Sequence, residues 1–257
     1  MKQNSLVKGI ISIVIGVLVV FALWFLLYFI VANNTVVPMP FVVIKNSFKL
    51  FLQGEFYSYF LATFFRVIIS TIISLCLAVI FAVLSYIVKG FSNIMLPIVA
   101  IIRSMPTFPI LLVLFSIVIC LNASRSIVSV IVCILTLFPI FYSSVLNSLL
   151  NVSSSTKDML KVYNVSVKNQ VTKVYIKGLL PLIIKEFFTG LSFALKLIVS
   201  AEILTNLSNS VGGKIEQAFI LSQMEMLMAL TMVVCIVAIL CEILGKFIYK
   251  KMVGKYL

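Results

Sequence analysis

The sequence predicts an all-α polytopic membrane protein with six transmembrane helices. Three observations lead to this fold class. First, 63% of the 257 residues are hydrophobic, compared with about half in soluble domains, and the mean hydropathy is +1.25. Second, the apolar residues form long runs, and helices satisfy the backbone polar groups of such runs inside a bilayer. Third, the basic residues are distributed unequally among the segments that connect the runs.

The apolar runs are each long enough to cross a bilayer, since a spanning helix needs about 18 or more such residues. Six runs meet this length, at roughly 9–32, 61–88, 95–121, 127–150, 179–203 and 224–246. The first run is much longer than the apolar region of a signal peptide, which is about 7–15 residues. No convincing cleavage site follows it, so we expect a retained helix.

The net charge of +13 is distributed as membrane topology requires. With the N-terminus in the cytoplasm, the inner segments hold twelve Lys and Arg residues and the outer segments hold four. The other four of the 20 lie in or near the apolar runs. This positive-inside bias predicts that both termini are cytoplasmic, and it gives no reason to expect a nucleic-acid partner.

Metal and enzyme chemistry are not expected. All five cysteines lie inside apolar runs, no CxxC pair occurs, and the chain has no histidine. The seven acidic residues are scattered along the chain, four inside the runs and three outside, so no catalytic constellation can be assembled. The phosphate-binding motif Gly-x-x-x-x-Gly-Lys-Ser/Thr is also absent. We therefore expect no catalytic residue and no cofactor on this chain.

The connecting segments suggest a simple organisation. Residues 1–60 hold the first helix and an outer segment, where two prolines favour an extended turn and residues 43–53 favour a short amphipathic helix at the membrane interface. Residues 61–257 hold a five-helix core. Its loops at 89–93 and 122–126 are short, which predicts antiparallel neighbours.

The longest inner segment, about 152–180, is predicted to fold as helix, turn, helix. The run SSST at 153–156 offers an N-cap, and Asp158 is expected in the first turn, where the helix dipole favours an acid. Met159, Leu160 and Tyr163 form an apolar stripe on this helix.

Asn164 then interrupts the pattern, and Asn is the non-glycine residue best suited to a left-handed backbone position. Ser166 is predicted to cap a second helix over 167–177, which carries Val174 on its apolar face. Pro181 suits the first turn of the fifth span. The whole segment is either a solvated basic loop or a docking element for a cytoplasmic partner, and the apolar stripe favours docking.

This segment resembles the cytoplasmic EAA loop of permease subunits of ATP-binding-cassette importers, most closely the branch that moves sulfonates, taurine and nitrate. In register, 158–160 occupy the Glu-Ala-Ala positions and Asn164 occupies the Gly position. Val174 takes the aliphatic position, and Pro181 takes the second Pro. Asp replaces Glu, Asn replaces Gly, and Lys177 stands at the first Pro.

The similarity covers roughly 50–250. Besides the loop, it is carried by LATFFRVIIS, IIRSMP, LFPIFYSSVLNSLL, FFTGLSFALKLIVSAEIL and SVGGKIEQAF, in which the matching residues are Arg66, Arg103, Pro106, Pro139, Gly190, Glu202 and Gly212.

The resemblance implies a type I importer fold in the bacterial cytoplasmic membrane, in which two copies form one pathway. Two cytoplasmic ATPase subunits would grip the EAA loops and bind ATP, and an extracytoplasmic solute-binding protein would deliver a small organic or inorganic anion or a related solute. The alternative is an ion-coupled secondary transporter, which needs intramembrane acids as relays. The acids considered for this role are Glu202, near one outer end, and Glu242, near one inner end.

Two further positions are candidates for the pathway or its gate. Arg66 and Glu202 are expected at similar depth near the outer face, either snorkelling independently to the interface or forming an interhelical pair. Lys196 lies deeper in the fifth run, where it faces the pathway and favours an anion, or snorkels and packs between helices. Membrane lipid is expected around all six spans.

Overall fold

The computed structural model describes residues 2–166 and 169–253, and within these ranges it contains helices and no strand. The all-α fold class is therefore confirmed. The helices in chain order are α1 Lys2–Val31, α2 Pro40–Leu50, α3 Gly54–Ile87, α4 Phe91–Ser104, α5 Thr107–Cys120, α6 Ser126–Leu150, α7 Ser154–Val162, a π-helical segment Gln170–Tyr175, α8 Ile176–Leu204, α9 Val211–Ile220 and α10 Met224–Val253.

The chain divides into two compact units, and the boundaries fall inside three of the helices. The first unit is Met1–Tyr57 with Lys214–Val233, and the second is Ser58–Gly213 with Val234–Leu257. The functional division predicted near residue 60 concerns the roles of the two parts and stays a prediction.

In the first unit, α2 packs one face against the start of α10. Its buried residues are Pro40, Val43, Ser47 and Leu50, which recur at the spacing of one helical stripe. The Ser47 hydroxyl donates to the carbonyl of Ala229 at 3.3 Å. The predicted amphipathic helix is thus observed, beginning at Pro40 because proline is pre-organised for the first helical turn.

In the second unit, α6 is the central helix and packs against α8, α5 and α4. Gly190 lets α8 approach closely, because a Cβ at this position would meet the ring of Phe141 and lie 3.1 Å from Cγ2 of Thr71. One apolar core cluster consists of Leu111, Val118, Val128, Val132 and Ala201.

Among the described residues, four helices are long and apolar enough to span a membrane: α3, α6, α8 and α10. The pair α4 and α5 is bent by 91° and counts as a fifth span only if the two are one broken span. The described apolar part of α1, Ile15–Val31, is shorter. Six spans are therefore not confirmed by this structure.

The third apolar run, predicted as one helix over 95–121, is two helices. Met105 has φ −70° and ψ 127°, an extended conformation, because the ring of Pro106 disfavours the helical conformation of the residue before it. The chain turns sharply at this point before α5 begins at Thr107.

The predicted second helix of the inner segment also differs. The π-helical segment Gln170–Tyr175 runs directly into α8, so no separate short helix ends before Pro181. Pro181 lies inside α8 and not in its first turn, because the helix begins at Ile176 and continues through the proline with the loss of a single backbone hydrogen bond. The predicted start of this helix, at 167–168, lies outside the described residues.

Candidate functional site

Helix α7 begins with a capped turn, as predicted. The hydroxyl of Ser153 accepts a hydrogen bond from the backbone N–H of Thr156 at 3.3 Å. The prediction that Asp158 lies in the first turn is wrong. Ser153, the first residue of the SSST run, is the N-cap, so Asp158 is the fifth residue of α7 and the first turn contains no acid. Its carboxylate lies 3.8 Å from Nζ of Lys161, and both side chains are exposed. An exposed pair of this kind contributes little stability.

Asn164 ends α7 in the left-handed conformation, with φ 48°, so that prediction is confirmed. The N–H of Val165 donates to the carbonyl of Leu160 at 3.0 Å, and the N–H of Asn164 donates to the carbonyl of Lys161 at 3.0 Å. These two bonds form a Schellman motif, which satisfies carbonyls that the end of a helix leaves free.

The predicted stripe on α7 divides between two environments. Leu160 is 3% exposed, whereas Met159 is 48%, Val162 78% and Tyr163 75% exposed. Met159, Val162 and Tyr163 lie at i, i+3 and i+4, which places them on one face. We call them the α7 patch. Val162 was not predicted from the sequence, although its i+3 spacing from Met159 indicates the same face.

The rest of the inner segment is anchored to the second unit by Tyr175. This side chain is buried, and its ring contacts that of Tyr86 on α3 edge-on at 5.4 Å between centroids. The carbonyl of Ser166 accepts from the N–H of Gln170 at 2.9 Å, so Ser166 lies at the start of the following helical segment. Val174 is half-buried.

A second cluster of polar groups surrounds Glu202 at the end of α8. The Glu202 side chain is fully buried, and its Oε1 accepts from Nη1 of Arg66 at 2.6 Å. Thr63 donates its hydroxyl to the same carboxylate, lying 2.9 Å from Oε2 and 3.1 Å from Oε1. Of the two alternatives for Arg66 and Glu202, the structure has the interhelical pair.

The start of α9 completes the cluster through its backbone. The N–H of Gly212 donates to Oε2 of Glu202 at 3.2 Å, and the N–H of Val211 donates to the Thr63 hydroxyl at 2.9 Å. A Cβ at Gly212 would meet the Glu202 side chain and lie 2.6 Å from the carbonyl of Val199. Only glycine therefore lets this turn approach the carboxylate so closely.

Every oxygen of the buried carboxylate thus has a partner, which is what a charge withdrawn from water requires. The arrangement ties α3, α8 and α9 together at one end of the second unit. We call Thr63, Arg66, Glu202 and Gly212 the Glu202 cluster.

Arg103 lies beside the bend that Pro106 introduces. Its Nη2 donates to the Ser143 hydroxyl at 2.7 Å and to the carbonyl of Pro139 at 3.4 Å. Arg103 also lines a cavity of about 190 Å³ between the α4–α5 bend and α6, together with the hydroxyl-bearing side chains of Thr107 and Thr136. A guanidinium with hydroxyl groups nearby can hold a small anion.

Lys196 is exposed on α8, with Nζ 5.6 Å from the ring centroid of Phe193. This contact is typical of a cation resting on an aromatic face. Among the described residues, no hydrogen bond or ion pair joins the Lys196 side chain to the Glu202 cluster or to Arg103.

These features define a polytopic helical membrane protein with a structured, partly apolar connecting segment. The family model for the binding-protein-dependent transport system inner membrane component matches residues 74–254, which is more than half of the chain. The chain belongs to this family, and it is therefore the permease component of an ATP-binding-cassette importer. Permeases of this family work with an ATPase and a binding protein. No curated protein matches the sequence.

Proposed function

We propose that two copies of this chain form the translocation pathway and that each copy couples to a separate cytoplasmic ATPase subunit through residues 152–180. The observation that carries this proposal is the α7 patch. Met159, Val162 and Tyr163 are large, apolar and exposed on a segment that also carries five lysines and a single acid. Exposed apolar groups gathered on one helix face mark a surface for a partner.

The anchoring of the segment supports a coupling role. Leu160, which follows the patch residue Met159 in the chain, is buried, and the Schellman motif fixes the end of the helix. The Tyr175–Tyr86 contact joins the segment to α3, and the π-helical segment continues into α8. Movement of α7 with a bound ATPase would therefore be passed to two membrane helices as a rigid-body motion.

The proposed topology has six spans and two cytoplasmic termini. In it α1 is the first span, and the bent pair α4 and α5 is the third. The distribution of lysines and arginines supports this topology. It places the α7 patch in the cytoplasm and the Glu202 cluster towards the outer face.

The proposed solute is a small organic or inorganic anion, delivered by an extracytoplasmic solute-binding protein. The resemblance to the sulfonate, taurine and nitrate branch supports this class, and so does the guanidinium of Arg103 beside a cavity. The alternative of an ion-coupled secondary transporter is not favoured by the family. Of its two candidate relay acids, Glu202 already accepts hydrogen bonds from Arg66, Thr63 and Gly212. Glu242 pairs with Lys246 at 2.7 Å.

The test is co-purification of ATP hydrolysis with the tagged chain from its native cells. We expect Met159→Asp with Tyr163→Asp to reduce the co-purified activity at least about tenfold, since two charges would have to be buried in the contact. Lys161→Asp is the matched control. It alters an exposed residue on another face of α7 and should retain the ATPase.

Equal loss in the control would show that general charge, and not the α7 patch, governs the contact. Full retention of the ATPase in the double variant would overturn the coupling role of this segment.

A further inference from the structure

Helix α2 presents chemically different faces around its axis. Pro40, Val43, Ser47 and Leu50 form the buried surface. Phe41 and Phe48 lie seven residues apart on a neighbouring face, which we call the Phe edge. They are 63% and 70% exposed. Beyond them lie two exposed lysines, Lys45 and Lys49, spaced four residues apart on the same edge.

The neighbours of α2 in the first unit fix its depth relative to the membrane. Phe41 contacts the ring of Phe25 at 5.6 Å between centroids. Phe25 lies six residues before the end of α1 at Val31, or about 9 Å below it at 1.5 Å per residue. Since Ile15–Val31 is apolar and α1 is the first span of the proposed topology, the Phe edge lies at the level of the acyl chains.

The other side of α2 is polar. Asn46 donates to Oε2 of Glu225 at 3.1 Å, and both residues line a surface recess of about 370 Å³ with Asn34, Thr35 and Gln223. Glu225 is in the first turn of α10, which marks the polar end of that membrane helix. Helix α2 therefore lies along the bilayer surface, with the Phe edge towards the acyl chains and the Asn46 side chain towards water.

Lys45 and Lys49 lie between these two edges, at the level of the lipid headgroups. Among the described residues neither forms an ion pair, so both ammonium groups are available to an outside anion. At this depth the anion that meets a lysine pair is a phospholipid phosphate.

We propose that α2 is an interfacial binding site for anionic phospholipid. In this site Lys45 and Lys49 hold the headgroup phosphate, and Phe41, Phe48 and the exposed Leu52 contact the acyl chains. The chain is tethered for this role, because α2 follows α1 after residues 32–39 and precedes α3 by residues 51–53. The proposal rests on the proposed topology, in which α1 is the first span, and is independent of the transport cycle itself.

The experiment places a fluorescent probe on the Phe edge of the full-length protein. Trp24 is the only tryptophan of the chain, so Phe48→Trp in a Trp24→Phe background gives a single emitter. The protein is reconstituted in vesicles that contain brominated phosphatidylglycerol or, at the same mole fraction, brominated phosphatidylcholine. We expect both brominated lipids to quench the tryptophan emission strongly. Phosphatidylglycerol should quench more, because each lysine enriches it near the probe by at most about fivefold.

Replacing both lysines by glutamine should abolish the preference for phosphatidylglycerol while leaving quenching by phosphatidylcholine unchanged. Lys250→Gln with Lys251→Gln, at the other end of α10, removes the same charge and should leave the preference intact. A second probe, Phe41→Trp, reports on the same edge if the first variant fails to assemble.

Two results would overturn the proposal. Equal quenching by the two lipids in the unsubstituted lysine background would show that the lysines hold no anionic lipid. Quenching by aqueous iodide without quenching by brominated lipid would show that the Phe edge faces water and serves a soluble partner instead.

Discussion

At the residue scale, the main feature is the buried carboxylate of Glu202. Glu202 has no access to water, and its oxygens are satisfied by a guanidinium, a hydroxyl and a backbone N–H. Removing one partner of a buried ion pair is costly because the remaining charge is left unpaired, whereas neutralising both partners is often tolerated.

We therefore predict that Arg66→Met strongly destabilises the protein, by about 3–5 kcal/mol. Adding Glu202→Gln should recover much of this loss, since Gln is neutral and its carbonyl can still accept from Gly212 and Thr63. The thermal stability of the detergent-solubilised protein would be compared across the wild type, both single variants and the double variant. Strictly additive losses would show that Arg66 and Glu202 act independently.

The second residue-scale prediction concerns the turn after α7. Asn164 has a positive φ, which costs a β-branched residue about 1–2 kcal/mol and costs glycine nothing. Asn164→Val should shift the end of α7 and re-aim the α7 patch, so that ATPase co-purification and solute uptake fall while membrane insertion is unchanged. Asn164→Gly should retain both activities. Equal behaviour of the two variants would show that the left-handed turn does not position the patch.

Sequence reasoning at this scale succeeded where the residue type itself carries the conformational preference. Asn164 is left-handed as predicted, and Asn122 and Asn206 also end helices with positive φ, although neither was singled out. The hydrogen bonds that Thr63 and the N–H of Gly212 donate to Glu202 were not predicted from the sequence. A hydroxyl inside an apolar run has no distinctive pattern, and a backbone donor is the same in every residue.

At the element scale, proline shows why helix boundaries are hard to predict. Pro97, Pro139 and Pro181 lie inside helices, whereas Pro106 separates two helices that are bent by 91°. The local chemistry of the four residues is identical. At Pro106 the bent helices α4 and α5 both pack against α6, and a single sequence does not contain the tertiary packing that distinguishes this proline from the other three.

The inner segment contains one part that was predictable from the sequence and one part that was not. Its first helix, cap and turn were predictable, because N-caps and left-handed Asn residues are local signals. Its continuation was not, because the contact of Tyr175 with Tyr86 joins residues that are far apart in the chain. That contact holds the π-helical segment against α3, and α8 then continues from it without the break that Pro181 suggested.

At the scale of the whole molecule, composition predicted the fold class but not the number of spans. Length and apolarity identify α3, α6, α8 and α10 without difficulty. The bent pair α4 and α5 has the same apolar composition whether it crosses the bilayer or turns back within it, because both routes lie in hydrocarbon. Charge bias is the remaining guide, since it records which side of the membrane each connecting segment occupies.

Cysteine accessibility in intact cells separates these two routes. Single cysteines would be introduced at Lys89, Ser124, Ser155 and Ser208 in a background without the five native cysteines, since all four positions are exposed. Six spans with a cytoplasmic N-terminus place 124 and 208 outside and 89 and 155 inside. We therefore expect a membrane-impermeant maleimide to label 124 and 208 in intact cells, and 89 and 155 only after the membrane is opened.

If α4 and α5 formed a re-entrant loop, 89 and 124 would share one side and behave alike. The proposed topology would then be wrong, because the chain would cross the bilayer one time fewer between α3 and α6 and every later segment would exchange sides.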